Sequence, residues 1–156
     1  MGLDMYLKRH SYCCPTEEMK SNGGLTLRGS TTEIKVNAAK LSRIVIEEDV
    51  TYWRKVNQIH NWFDSQIENG IDNCKEYFYS FDKLIELREA CKQVLANNEL
   101  AEELLPTCEG FFFGETDYDE YYFDELNNTV QTIDELEKEE KQHEKGHFIY
   151  SYCAWW

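Results

Sequence analysis

The chain is predicted to fold as an α+β domain in which a small, mainly antiparallel sheet packs against about three helices. Three observations lead there. Short stretches near both ends alternate apolar and polar residues, the period of a half-buried strand. Between them lie segments whose apolar residues recur at three- and four-residue spacing. The order runs strand-rich sequence, helix, strand, two helices, strand, which suits helices laid on an antiparallel sheet. The 156 residues, 42% hydrophobic with two prolines, suffice for a single domain over 1–156 with a real core. Aromatic residues reach 14% and supply much of the burial that aliphatic side chains usually provide.

The elements follow in order. "GLDMYLKR" alternates Leu3, Met5 and Leu7 against Asp4, Tyr6 and Lys8 and reads as a strand. "SYCCPTEEMKSNGGLTLRGS", broken by Pro15 and Gly23-Gly24, reads as a loop with a small ribbon. "TEIKVN" and "SRIVIEE" read as further strands. Asp49 is the expected N-cap of a helix over "VTYWRKVNQIHNWFDSQIEN", closed by Gly70. At helical spacing Tyr52, Trp53, Val56, Ile59, His60, Phe63 and Ile67 share an arc of roughly 120°, with Arg54, Gln58 and Trp62 outside it. "KEYFYSF" is the next strand. Asp82 is placed to cap "KLIELREACKQVLAN", where Leu84, Leu87, Cys91, Val94 and Leu95 form a stripe. "NNELAEELLP" is a short helical turn ended by Pro106, and "GFFFG" a strand or tight buried turn. The last long helix starts near Asp117 or Asp119 and runs to about Lys141, with Tyr122, Leu126, Val130, Ile133 and Leu136 as its apolar positions. "GHFIYSYCAWW" closes the chain as a strand.

Charge narrows the function classes. The net charge of -14 is graded: +2 over residues 1–55, -7 over 56–112 and -9 over 113–156. Such a field repels nucleic acid and anionic membrane and suits a basic protein surface. No stretch approaches the roughly 20 apolar residues of a membrane span, and "MGLDMYLKRH" lacks a signal core. The expectation is a cytoplasmic chain with its six cysteines reduced and without CxxC pairs.

The segment "GFFFGETDYDEYYFDEL" carries seven aromatic rings and six carboxylates in 17 residues, with no basic side chain. Phe111, Phe112 and Phe113 read as packing residues. Glu115, Asp117, Tyr118, Asp119, Glu120, Tyr121, Asp124 and Glu125 form the candidate partner-binding face. Their acids favour a helix N-terminus and mimic nucleic-acid phosphates toward a basic cleft, while their tyrosines suit interface anchors. An EF-hand is excluded, since its third ligand and glycine positions are both tyrosine here.

Four rival sites stand beside this face. Tyr52, Arg54, His60 and Trp62 would line a pocket for a small anionic nucleotide, although His60 inside the apolar arc also reads as a core histidine. Cys74, following Asp72, would need His60 in space to act as a nucleophile. His143 and His147 match His-Glu-x-x-His on one helical face, but at a charged helix end containing Gly146 the match reads as chance. His10 with Cys13 and Cys14 makes a poor zinc half-site, since adjacent cysteines rarely share one ion. No cofactor or metal is called for, and a thiol- or metal-dependent hydrolase ranks last.

"MGLDMYL", "YWRKVNQIHNWF", "ENGIDNCKEYF" and "ELLPTCEGFFFGETDYDEYYF", with a tryptophan-rich end, resemble a family of small proteins encoded in bacteriophages and prophages. The likeness covers chiefly residues 1–7 and 50–123. Family members tend to end in serines before a single tryptophan, whereas this chain ends "YSYCAWW", so no role of terminal serines carries over. The resemblance implies a phage protein at work in an infected bacterium. Small acidic phage proteins often inhibit host defence, anti-CRISPR proteins among them. The expected function is inhibition of a bacterial anti-phage system by binding a basic protein surface, with sequestration of a nucleotide signal as the alternative.

Overall fold

A computed structural model describes residues 2–21, 25–67 and 74–156. The fold is α+β, with a four-stranded antiparallel sheet, a two-stranded ribbon and five helices among the described residues. In chain order the elements are β1 (Asp4–Cys13), α1 (Glu17–Ser21), β2 (Leu25–Arg28), β3 (Glu33–Val36), β4 (Ile44–Arg54), α2 (Asn57–Ser65), β5 (Tyr77–Tyr79), α3 (Phe81–Ala96), α4 (Ala101–Leu104), α5 (Glu120–Glu140) and β6 (Phe148–Trp155). The larger sheet has the order β4-β1-β6-β5, which makes β4 and β5 its edges. Two compact units emerge, Met1–His10 with Glu48–Trp156, and Ser11–Glu47.

The larger unit holds the main core. Leu3, Met5 and Leu7 lie on one face of the β1 region, as a period of two requires, and all are buried. Leu84, Leu87, Cys91 and Val94 of α3 and Tyr122, Leu126, Thr129, Ile133 and Leu136 of α5 are likewise buried, and the two helices pack together. Each such apolar side chain contributes about 1.5–3 kcal/mol on burial. Rings fill the rest: Phe63 of α2 stacks on Tyr152 of β6 at 4.0 Å and 10°. Arg88 clamps α3 to α5, donating to Asp134 at 2.8 Å and to Glu137 at 2.9 Å. The Trp53 indole donates to the buried Thr129 hydroxyl at 3.2 Å, tying β4 to α5. No described helix is long and apolar enough to cross a membrane.

The smaller unit contains the antiparallel ribbon β2–β3, in which Leu27 lies opposite Ile34. It also contains a 3-10 turn, Ala38–Lys40, capped by the Asn37 side chain. A small ribbon was expected within residues 11–30; the one present pairs the end of that stretch, β2, with β3 of the strand expected over "TEIKVN", and Glu17–Ser21 is a short helix rather than loop. The break at Gly23-Gly24 lies outside the described residues.

Several elements differ from expectation. The stretch through Arg54 is strand rather than helix, and the helix begins at Asn57 with Val56 as its N-cap residue. Val50, Thr51, Tyr52 and Trp53 favour extended backbone, and Lys55, at φ 59, turns the chain between strand and helix. Trp53, Val56, Ile59, His60 and Phe63 are buried as the helical arc required, but Tyr52 is 49% exposed. The expected stop at Gly70 lies outside the described residues. Ser80, not Asp82, is the N-cap of α3, and Asp82 sits in its first turn. The last helix has Asp119 as its N-cap, its carboxylate accepting from Tyr122 N at 3.0 Å.

The phenylalanine run is a turn, not a strand. Phe111 is 95% exposed, whereas Phe112 and Phe113 are half-buried. A turn lets successive side chains leave in unrelated directions, so Phe111 faces solvent rather than packing as expected, while its two neighbours pack. Gly110 has no room for a side chain, since a Cβ there would fall 2.5 Å from the Phe113 ring.

Candidate partner-binding site

The acidic segment is held in place by Asn57, the first residue of α2 and only 1% exposed. Its amide nitrogen donates to the carbonyls of Phe113, at 3.2 Å, and Glu115, at 2.8 Å. Its oxygen accepts from Cys108 N at 3.1 Å. Thr107 donates to the Thr116 carbonyl at 3.0 Å. The loop before α5 is thus fastened on both sides, and its carboxylates are carried on a rigid support.

The eight predicted face residues gather at the start of α5 but do different work. Glu115, Asp117, Asp119, Glu120 and Asp124 are exposed. None of these, nor Glu125, lies within 4.0 Å of a described lysine or arginine nitrogen. Tyr121 is 50% exposed, and its hydroxyl donates to the Arg54 carbonyl at 2.8 Å. Tyr118 instead turns inward and meets Tyr122 edge-on at 5.0 Å. Glu125 is half-buried, and burial pushes its carboxyl above the ordinary range.

A cavity of about 370 Å³ opens beside this face. Arg54, Lys55 and Gln58 contribute to one part of its lining, and Glu115, Asp117 and Asp119 to another. Gly114 lets the loop approach closely: at φ +92, a Cβ there would sit 3.0 Å from Lys55 Cβ. Gln58 is 3% exposed, its amide donating to the Tyr122 carbonyl at 3.4 Å. Sequence reasoning missed Asn57, Lys55 and Gln58 as site-building residues. The glycine after three phenylalanines was the available sign of a close backbone approach.

The four residues of the proposed nucleotide pocket do not assemble. Tyr52 faces solvent beside Tyr6 and donates to Asp4, which raises its phenol pKa. Of the four, only Arg54 lines the cavity. His60 is buried, hydrogen-bonded through Nδ1 to the Tyr152 hydroxyl at 2.8 Å and boxed by Phe113 and Trp156. Trp62 packs edge-on against Phe63 at the rim of the core, which accounts for its place off the apolar arc.

The thiol and metal candidates fare no better. His60 is held neutral by burial, which lowers its pKa, and its Nδ1 meets the Tyr152 hydroxyl. Cys74 is partly exposed at φ 56; Asp72 lies outside the described residues. Burial pushes the Cys108 thiol up to about 11 and the Cys91 thiol up to about 12, away from thiolate chemistry. His143 and His147 follow the end of α5 rather than sharing a helical face. Their rings stack at 4.6 Å, and no third histidine, cysteine or carboxylate joins them among the described residues. His10 is bonded through Nε2 to Ser151 Oγ at 2.7 Å in the larger unit; Cys13 and Cys14 belong to the smaller one and are exposed.

No protein-family model, curated protein or solved structure matches the chain.

Proposed function

We propose that the chain is a non-enzymatic binding protein whose acidic aromatic end grips a basic protein surface. In the phage setting that the sequence resemblance implies, that surface belongs to a host anti-phage defence protein. One observation carries the reading: the carboxylates of residues 115–125 collect at one helix start without an ion pair to the described residues, on a loop fastened by a buried asparagine. Phe111, fully presented to solvent nearby, and Tyr121 supply the apolar anchors such a surface needs. Unneutralised like charges steer a cationic partner and suppress anionic ones. Immobilised protein is expected to retain a basic protein from bacterial lysate, and its association rate with that protein should fall steeply as salt rises from 50 to 500 mM. A salt-independent rate, or retention of acidic proteins alone, contradicts the reading.

A second reading is favoured by the cavity itself. Arg54 and Lys55 offer two cations to a small anion such as a nucleotide, with Gln58 as a buried amide. The same lining holds three carboxylates, which oppose a dianion, so this reading ranks below the first. Cyclic nucleotides raising the melting temperature of the purified protein would support it; no shift at millimolar ligand removes it.

A further inference from the structure

The edge strand β4 runs beside α5, and the space between them forms a seam. An edge strand directs alternate backbone N–H and C=O groups outward, ready to pair with another chain. The α5 residues Glu125, Asn128, Thr132, Glu135 and Glu139, spaced three and four apart, form one flank toward this strand. Two hollows lie along the seam. One, of about 350 Å³, lies between Thr51–Trp53 and the first half of that flank. The other, of about 230 Å³, lies between Glu48–Val50 and the second half. Thr132 and Glu135 line both, so the hollows adjoin.

The charges along the seam are one-sided. Glu48 and Glu139 are both paired with Arg9. Asp49, Glu125 and Glu135 have no described lysine or arginine within 4.0 Å, and half-buried Glu125 has only the Asn128 amide, at 3.4 Å. Thr51, Asn128, Gln131 and Thr132 add further polar groups to the lining, beside Tyr52, Trp53, Val50 and Leu136, so the hollows suit long side chains with an apolar stem and a polar or cationic end.

We infer that this seam receives an extended lysine- or arginine-bearing segment of the protein partner, added as a fifth strand along Glu48–Arg54 with basic side chains beneath Glu125 and Glu135. The inference rests on the proposed reading of a basic protein partner and names how part of that partner binds. Main-chain pairing supplies affinity in this mode, and the side-chain hollows supply selectivity. A second copy of β4 is a poor occupant, because it would set Glu48 and Asp49 against the same carboxylates.

The probe is a blocked decapeptide of alternating lysine and threonine, titrated into the full chain at low salt and followed by backbone-amide hydrogen exchange. The expected result is binding, with alternate amides of residues 48–54 exchanging at least about tenfold more slowly. Binding should weaken about tenfold or more when the peptide is N-methylated at alternate residues, and similarly in the Asp49→Asn/Glu135→Gln variant, which leaves the acidic face of residues 115–125 intact. No binding, equal binding of the N-methylated peptide, or unchanged exchange at 48–54 overturns the inference. The two ideas fail separately. If the seam variant holds a lysate-captured basic protein as tightly as the native chain does, the seam is discarded while the acidic-face reading stands. N-methylation leaves the protein unaltered, so this arm is independent of any folding defect in the variant.

Discussion

The buried side chain of Asn57 donates to the backbone carbonyl of Glu115 at 2.8 Å, joining the start of α2 to the loop that carries the acidic residues. Its amide also donates to Phe113 O, and its oxygen accepts from Cys108 N. Asn57→Ala removes these bonds and leaves buried backbone groups without partners, at a cost of about 1–3 kcal/mol. Denaturant melts should show that loss. Partner affinity should fall beyond it at saturating folded fraction, because the carboxylates lose their fixed spacing. Unchanged affinity in the folded variant would mean that the loop needs no such anchor.

Phe111 separates packing from binding. At 95% exposure it contributes little to the fold, so Phe111→Ser should shift stability by no more than about 0.5 kcal/mol. Loss of an interface anchor costs about 2 kcal/mol or more in partner binding. Its neighbour behaves oppositely: Gly110→Ala drives a Cβ into the Phe113 ring and should destabilise the fold by about 1–3 kcal/mol.

His60 gives the fold a pH dependence of definite sign. Burial lowers its pKa below the ordinary 6.5, so the native state keeps the imidazole neutral while the unfolded chain takes up a proton. Its contribution is therefore complete above about pH 6.5 and is lost as pH falls from there toward the native pKa. Chemical denaturation at pH 7.5, 6.5 and 5.5 should show declining stability, with a shallower decline in His60→Gln. A decline of equal slope in both proteins would assign the effect to other groups.

Glu125 has the reverse signature of a structural acid. Its half-buried carboxyl titrates above the ordinary range, so its ionised form opposes folding at neutral pH. Glu125→Gln should raise the melting temperature at pH 7 and leave it nearly unchanged at pH 3, where the group is mostly protonated in both states. A carboxylate kept at a cost to stability while binding weakens on its removal is the mark of a functional acid.

Much of this was readable in the sequence, for identifiable reasons. Period-two alternation in residues 3–7 and helical stripes in residues 84–94 and 122–136 have one packing solution each, and all three lie against the core. The stretch 50–54 failed because Trp53 and Val56, three apart and both buried, fit a helical stripe, although one lies near the end of β4 and the other caps α2. What decided it was Lys55 in a left-handed conformation, for which a lysine gives no warning. Clustering of the acids in space followed from their closeness in sequence. Asn57 and the β4–α5 seam were not legible, since both arise from contacts between residues about 50 to 90 positions apart. Phe111 was misplaced because a tight turn frees one ring from the burial its neighbours share.

The central claim is tested most directly by calorimetric titration of the captured basic protein into the Asp117→Lys/Asp119→Lys/Glu120→Lys variant and the native chain. These positions are exposed, although Asp119 caps α5, so a parallel Asp119→Asn variant keeps the cap while removing its charge. The account predicts that charge reversal weakens the complex by more than about 2 kcal/mol with a native melting profile for the Asn variant. Equal affinity of the reversed and native proteins would contradict it.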